Sequence, residues 1–89
     1  MNVEFSDDGW EDYLYWSRND ADTLGKVNEL IEDARRHPAT GLGKPEPLRG
    51  TLSGWWSRRI TREHRLVYRV RGRLAEAQRI EIIQCRFHY

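Results

Sequence analysis

Two side chains in this 89-residue sequence are placed where acid–base chemistry could occur. Glu46 lies between Pro45 and Pro47, which hold its backbone extended, so its carboxylate loses little freedom when it is aimed at a substrate. His88 precedes the terminal Tyr89, and an unperturbed imidazole both holds and releases a proton near neutral pH. A lone loop Glu and a His near a chain end are more often exposed side chains without a function. The pair therefore predicts chemistry only if the fold brings its members together.

Cations accompany this pair, and thirteen of the fifteen are arginines, whose planar guanidinium binds phosphate with two parallel hydrogen bonds. Residues 1–37 carry ten acidic and four basic side chains, or −6, whereas residues 38–89 carry four acidic and eleven basic side chains, or +7. Such asymmetry indicates a polyanionic partner, with an ordinary solvated sheet face as the alternative. The arginines that we expect on or beside an open sheet face are Arg58, Arg59, Arg62, Arg65 and Arg69.

A base, an acid and phosphate-binding cations are the groups that cut a phosphodiester. The sequence contains no zinc-type pattern, no aspartate cluster with metal-ligand spacing and no glycine-rich phosphate loop before a helix. We therefore expect a reaction without a metal or another cofactor. RNA is then the favoured substrate, because its own 2′-hydroxyl can attack the adjacent phosphorus, and DNA lacks that group.

Two helices are predicted in the first half of the chain. Ser6 is a good N-cap for a helix over Asp7–Ser17, whose apolar residues recur at helical spacing. Asn19 or Asp20 caps a second helix that continues to Arg36, because a proline two residues later cannot continue it.

Strands account for most of the remaining sequence, beginning with Asn2–Phe5. A glycine- and proline-rich loop follows the helices and contains a short extended piece at Glu46–Arg49. The further predicted strands are Trp55–Thr61, Arg65–Arg71 and Arg79–Arg86. The order of elements predicts an α+β fold in one domain spanning residues 1–89, with two N-terminal helices packed on an antiparallel β-sheet.

The chain resembles a known family in several ordered motifs. The segment GKPEPLRGTLSGWWSRRITREHRLVY, from Gly43 to Tyr68, and the final CRFHY are similar to the YoeB (Txe/YoeB) toxins of bacterial toxin–antitoxin systems. Those toxins belong to the RelE-like messenger-RNA endoribonucleases. The similarity extends to WEDYLYW near the start and NELIEDARR in the second predicted helix. It implies a RelE-like, microbial-ribonuclease-like fold.

The resemblance implies roles for individual residues. Glu46 would be the general base, His88 the general acid and Arg65 the residue that stabilises the transition-state phosphate. Arg49 stands where the family often has Lys, which keeps the charge but alters the donor geometry. The hairpin around Arg71–Arg79 is longer than in the family's pattern. The residues expected to bind RNA are Lys44, Arg49, Arg58, Arg59 and Tyr89.

The resemblance also implies partners. The family acts on messenger RNA at the ribosomal A site and is neutralised by an antitoxin, here of the YefM/Axe type, whose disordered C-terminal segment wraps the toxin. The complex represses its own operon, so operator DNA is contacted only through the antitoxin, and the toxins are often dimeric. The alternative is a catalytically inactive corepressor module that binds RNA or DNA.

Cysteine usage and hydropathy bear on the compartment. The single cysteine, Cys85, cannot form an internal disulfide, and we see no signal peptide or apolar span. We expect a cytoplasmic protein that does not associate with a membrane, and we expect Cys85 to be buried rather than a nucleophile.

Overall fold

The computed structural model describes residues 1–73 and 77–88, which place two helices on one face of a five-stranded sheet. The sheet order is β1-β5-β4-β3-β2, and the predicted α+β class is confirmed. The elements are β1 (Asn2–Phe5), α1 (Asp7–Asn19), α2 (Ala21–Arg36), β2 (Glu46–Pro47), a 3₁₀ turn (Gly50–Leu52), β3 (Trp56–Arg59), β4 (Arg65–Arg71) and β5 (Arg79–Gln84).

The sheet differs from the predicted antiparallel sheet at one edge, where β1 lies. β1 pairs parallel with β5, whereas the other neighbouring strands pair antiparallel, so the sheet is mixed. The reason lies in the connection, because the two helices carry the chain across one face of the sheet before it returns. Local alternation of apolar residues carries no information on this choice, since parallel and antiparallel strands share the same period.

Capping contacts confirm both predicted helix starts. Ser6 Oγ accepts a hydrogen bond from the Gly9 amide at 3.0 Å, which satisfies a donor that the first turn leaves unpaired. Asp20 does the same for α2 through the Thr23 amide at 3.0 Å. Helix α1 continues two residues beyond its predicted end, and α2 ends at Arg36 as predicted.

The core lies between the helices and the sheet. Gly9 allows α1 to approach β5 closely, because a Cβ atom built there would lie 2.5 Å from the Ile82 carbonyl oxygen. Cys85 is fully buried, as expected, and burial raises the pKa of its thiol to about 12. The buried apolar cluster consists of Trp16, Val27, Leu30, Ile31, Ala34, Ile60, Leu66, Tyr68, Ile80, Ile82 and Cys85.

Strand β5 ends at Gln84, two residues before the predicted Arg86. The next residue does not pair with a strand, because side chains of α1 bind its backbone amide and carbonyl. The carboxylate of Asp12 accepts a hydrogen bond from the Cys85 amide at 3.1 Å, and the Trp16 indole donates to the Cys85 carbonyl at 2.7 Å. The chain therefore leaves the sheet at this point.

The other predicted strands differ in length. Strand β4 has the predicted bounds, while β2 and β3 are shorter than expected. The Trp55 amide donates to the Leu52 carbonyl at 3.0 Å, which places Trp55 in a turn. The Thr61 amide donates to the His64 carbonyl at 3.3 Å, which places Thr61 in the turn before β4.

In residues 1–73 and 77–88, no helix combines the length and the apolar character needed to cross a membrane.

Candidate active site

A small cleft of about 120 Å³ holds most of the predicted site residues. Glu46 comes from β2, Arg65 from the start of β4, and His88 from the C-terminal segment, which we define as residues 85–88. The structure thus brings the predicted base, phosphate-binding arginine and acid to one place from three distant parts of the chain. The cleft is lined by Gly43, Lys44, Glu46, Ser57, Arg59, Arg65 and His88.

Glu46 is fixed by the pairing of β2 with β3. In this antiparallel ladder Glu46 lies opposite Ser57, and Pro47 lies opposite Trp56. β2 is the last strand of the sheet, an edge position where a proline is tolerated although it cannot donate a hydrogen bond. The short strand therefore presents an exposed carboxylate beside the buried Ser57.

The loop before Glu46 has an unusual backbone. Gly43 has φ +76°, and a Cβ atom there would lie 2.8 Å from Leu30 Cδ2 and 3.0 Å from the Arg59 carbonyl oxygen. Only glycine fits these two constraints. Lys44 follows with φ +53°, a left-handed conformation that is uncommon outside glycine and concentrates at functional sites. The Gly43 carbonyl accepts a hydrogen bond from the Arg59 amide at 2.7 Å, which attaches this loop to β3.

The guanidinium of Arg65 is held by the turn between β3 and β4. Its Nη1 donates to the carbonyl oxygens of Thr61 at 2.9 Å, His64 at 3.0 Å and Arg62 at 3.2 Å. Arg59 lies directly opposite Arg65 in the β3–β4 register. With Lys44, these arginines give the cleft three cations, which favour an anionic ligand.

His88 reaches the cleft because the preceding residue is attached to the start of β4. The Arg65 amide donates to the Phe87 carbonyl at 3.0 Å, and the Phe87 amide donates to His64 Nδ1 at 2.7 Å. Phe87 itself is left-handed, with φ +65°. His64 belongs to the turn before β4, and no sequence motif connects it with His88.

The prediction that Arg58 binds RNA from an open sheet face is wrong. Its side chain is fully buried, because β3 alternates and directs Arg58 towards the helices while Arg59 faces the cleft. Arg58 Nη1 lies 2.6 Å from Asp33 Oδ2, and Arg58 Nε donates to the Tyr68 hydroxyl at 2.9 Å. The remaining acceptors are the carbonyl oxygens of His37, Thr40 and Leu42.

The electrostatics of this buried network favour the ion pair. The Leu42 amide and then the Arg58 guanidinium hold the pKa of Asp33 below its usual range. Burial raises the pKa of Tyr68, although the neighbouring Arg58 opposes that rise. The network joins α2, β3 and the loop that leads to Gly43.

One other predicted RNA contact, Arg49, lies away from the cleft. Arg49 is exposed beyond β2 and outside the cleft lining, and Tyr89 lies outside the described residues. Gly43 and Ser57 also line the cleft, although neither was a predicted site residue. Ser57 could have been found, since it precedes Arg59 by two residues and so shares its face of β3.

The two adjacent tryptophans have different surroundings. Trp56 packs against the core, and Trp55 lies beneath the guanidinium of Arg69, whose Cζ is 4.2 Å from the ring centroid. Arg69 also forms an ion pair with Glu81 at 2.9 Å, so this arginine is engaged within the sheet.

Among residues 1–73 and 77–88, no group of three or more His, Cys, Asp or Glu side chains is arranged to hold a metal ion.

Comparison with known proteins identifies the family. Residues 5–89 match the family model described as the YoeB-like toxin of bacterial type II toxin–antitoxin systems. The chain belongs to this family. Toxin YoeB of Escherichia coli K12 is 52% identical over 89 residues, and the alignment covers 100% of both chains. Toxin YoeB of Streptomyces coelicolor is 46% identical with the same coverage.

Solved structures agree with this placement among the YoeB-like toxins. A YoeB/ParE toxin from Agrobacterium tumefaciens superposes with a TM-score of 0.94 at 55% identity, with 100% of both chains covered. YoeB from the heterotetrameric YoeB–YefM complex of Staphylococcus aureus superposes with a TM-score of 0.87 at 43% sequence identity. The match covers 100% of this chain and 98% of that chain. The resemblance inferred from the motifs is thus confirmed, and the protein is a toxin of a type II toxin–antitoxin system.

Proposed function

We propose that this toxin is a messenger-RNA endoribonuclease that needs no metal ion and cuts by attack of the RNA's own 2′-hydroxyl. The observation that carries the proposal is the single cleft lined by Glu46, Arg65 and His88, with Lys44 and Arg59 beside them. Transesterification requires a base, an acid and a charge stabiliser at one phosphate, and this cleft offers all three.

In this reaction Glu46 is the general base. Its carboxylate takes the 2′ proton while O2′ forms a bond to phosphorus. The bond between phosphorus and O5′ breaks, and the imidazolium of His88 gives its proton to the leaving O5′. The products are one RNA that ends in a 2′,3′-cyclic phosphate and one that begins with a 5′-hydroxyl.

Arg65 stabilises the negative charge that grows on the phosphoryl oxygens. The turn before β4 fixes its Nη1 through three carbonyl oxygens, and we assign its Nε and Nη2 to the phosphate. A donor that is already oriented needs no rearrangement during the reaction, which is the main advantage of electrostatic stabilisation in enzymes. Arg59 and Lys44 bind the same phosphate region, and Arg49 and Tyr89 bind flanking nucleotides.

The size of the cleft bears on how RNA is held. A volume of about 120 Å³ is small beside the roughly 300–1,000 Å³ of pockets that enclose small ligands, and both Glu46 and His88 are exposed. Such a site orients a phosphate but encloses little of the RNA around it. We therefore propose that the ribosomal A site, in the cytoplasm, presents the message to the cleft and supplies the missing orientation.

The partner that we propose is an acidic antitoxin of the YefM/Axe type. A solved relative from Staphylococcus aureus is a YoeB–YefM complex, and the +7 charge of residues 38–89 favours an acidic segment that folds across the cleft. The complex would repress its operon, with DNA contacted through the antitoxin. A YoeB dimer from the same organism supports homodimer formation of the free toxin.

Primer extension on a message translated in vitro tests the proposal. We expect new 5′ ends when the protein is present, and none with Glu46→Gln or on the same message without ribosomes. The upstream fragments should carry a 2′,3′-cyclic phosphate. Should the wild-type protein leave the translated message intact yet bind RNA or support repression, the inactive corepressor would be the correct interpretation.

A further inference from the structure

His64 lies where the C-terminal segment crosses the start of β4. Pairing between β4 and β5 ends at Gln84, and two further hydrogen bonds then attach the chain to β4. The Phe87 amide donates to His64 Nδ1 at 2.7 Å, and the Arg65 amide donates to the Phe87 carbonyl at 3.0 Å. The imidazole thus accepts the hydrogen bond that a backbone carbonyl would accept in a continuous strand.

The imidazole of His64 is itself held in place. It packs edge-to-face on Trp16, with ring centroids 4.8 Å apart, and Trp16 is buried in the core. The Phe87 ring lies on another side, with centroids 5.8 Å apart. Because Nδ1 accepts a hydrogen bond from an amide, it carries no proton, so His64 is the neutral tautomer protonated at Nε2.

The conformation of Phe87 makes this attachment important for the next residue. A φ of +65° is uncommon for a bulky side chain and persists only when the surroundings determine it. Arg86 stacks on Tyr15, with its Cζ 3.4 Å from the ring centroid, which holds the preceding residue against α1. The hydrogen bond to His64 fixes the peptide between Arg86 and Phe87, and the hydrogen bond from the Arg65 amide fixes the peptide between Phe87 and His88.

We propose that His64 is a positioning residue that places His88 for proton donation to the leaving oxygen. The inference rests on the proposed function, because it assigns His64 a part in that reaction. Loss of the Nδ1 acceptor displaces the proton donor, and a misplacement of about 1 Å in an active site lowers the rate by about 10²-fold. RNA binding by Lys44 and Arg59 does not depend on this hydrogen bond, so KM stays constant.

Two substitutions separate the hydrogen bond from the packing. His64→Phe keeps a ring against Trp16 but has no acceptor, and we expect a kcat about 10²-fold lower at unchanged KM. His64→Asn places Oδ1 near the position of Nδ1 and should stay within about three-fold of wild type, since a hydrogen bond of similar geometry remains. His37→Asn, at an exposed histidine outside the cleft, is the matched control and should keep the wild-type rate.

The proposal would be overturned if His64→Phe and His64→Asn lowered kcat equally, or if His64→Phe kept the wild-type kcat. His64→Leu is a second variant without an acceptor, in case His64→Phe does not fold.

Nuclear magnetic resonance distinguishes failure of this inference from failure of the proposed function. We expect the His64 ring nitrogens to report the Nε2–H tautomer, and His64→Phe to shift the Phe87 amide and the His88 ring while the core signals stay constant. If wild-type protein cuts no RNA, the nuclease proposal fails, whereas these spectra still decide whether His64 places His88. Unchanged His88 signals in His64→Phe would refute the placement.

Discussion

Arg58 Nη1 and Asp33 Oδ2 lie 2.6 Å apart where α2 packs against β3. The same guanidinium binds backbone carbonyls of the loop that runs from His37 to Leu42. That loop leads directly to Gly43, whose carbonyl binds the Arg59 amide at the edge of the cleft. A buried ion pair behind the cleft therefore helps to position one wall of the candidate active site.

Removal of the Arg58 guanidinium should unfold part of this arrangement. Arg58→Met keeps an unbranched side chain but leaves several acceptors unpaired, and breaking a buried ion pair costs roughly 3–5 kcal/mol of unfolding free energy. Urea denaturation followed by circular dichroism measures the loss. Arg36→Met, at an exposed position of α2, is the control and should stay within about 0.5 kcal/mol of wild type. Similar stability of the two variants would contradict this account.

Acid should weaken the contribution of Asp33. Its pKa is lower in the folded state, so the carboxylate stabilises the fold above its unfolded pKa of about 3.9, and this stability is lost as pH falls through the folded pKa. Asp33→Asn should therefore melt below wild type at pH 7, and the gap in Tm should narrow progressively below about pH 4. Thermal melts of both proteins between about pH 2.5 and 7 test this prediction. A difference in Tm that widens at acid pH would contradict it.

The three proposed catalytic groups should each be needed for cleavage. Glu46→Gln, Arg65→Ala and His88→Gln are expected to lower single-turnover cleavage by about 10²–10⁴-fold, because each role has no substitute in the mechanism. Their circular dichroism should match the wild-type spectrum. Glu11→Gln and Arg18→Ala, at exposed positions of α1, are charge-matched controls that should keep full activity. Full cleavage by any of the three site variants removes that residue from the mechanism.

Two helical glycines should respond in opposite directions to the same substitution. Gly9→Ala should destabilise the protein by about 1–3 kcal/mol, because the new methyl group meets the Ile82 backbone and neither α1 nor β5 can move freely. Gly25→Ala meets no heavy atom within 4 Å and should stabilise α2 by about 0.4–1 kcal/mol. Denaturant melts of the two variants, which carry an identical chemical change, give the comparison. Equal shifts would show that α1 and β5 are less closely packed than described.

Local features of the fold could be predicted because their causes are local. The caps at Ser6 and Asp20 satisfy amides within three residues, and β4 is a β-branched and aromatic run between turn residues, so each is encoded in a short stretch of sequence. The parallel pairing of β1 could not be predicted in this way. The pairing depends on the path of the chain through the two helices and the later strands, and no residue of β1 specifies that path.

The site was predicted in part for a similar reason. Neighbouring residues of a strand must face opposite sides, so Arg58 and Arg59 could not both reach the cleft, yet the two side chains are chemically identical. Asp33 decides between them, because it presents a carboxylate on α2 to the side that Arg58 occupies. The resemblance predicted Glu46, Arg65 and His88 as site residues, and these three line one cleft. The proposed role of His64 depends on a contact between distant residues that only the folded chain shows.

The pairing of β1 with β5 has a consequence for folding during synthesis of the chain. Asn2 lies beside Arg79 in the register, so the first strand synthesised finds its neighbour only after nearly all of the chain has been made. Contacts of such long sequence separation fold slowly, because a large loop must close before they form. During translation the helices can form early, but the complete sheet, and with it the cleft, can form only after β5 has been synthesised. The residues of the candidate active site therefore come together only after β5 and the C-terminal segment have been synthesised.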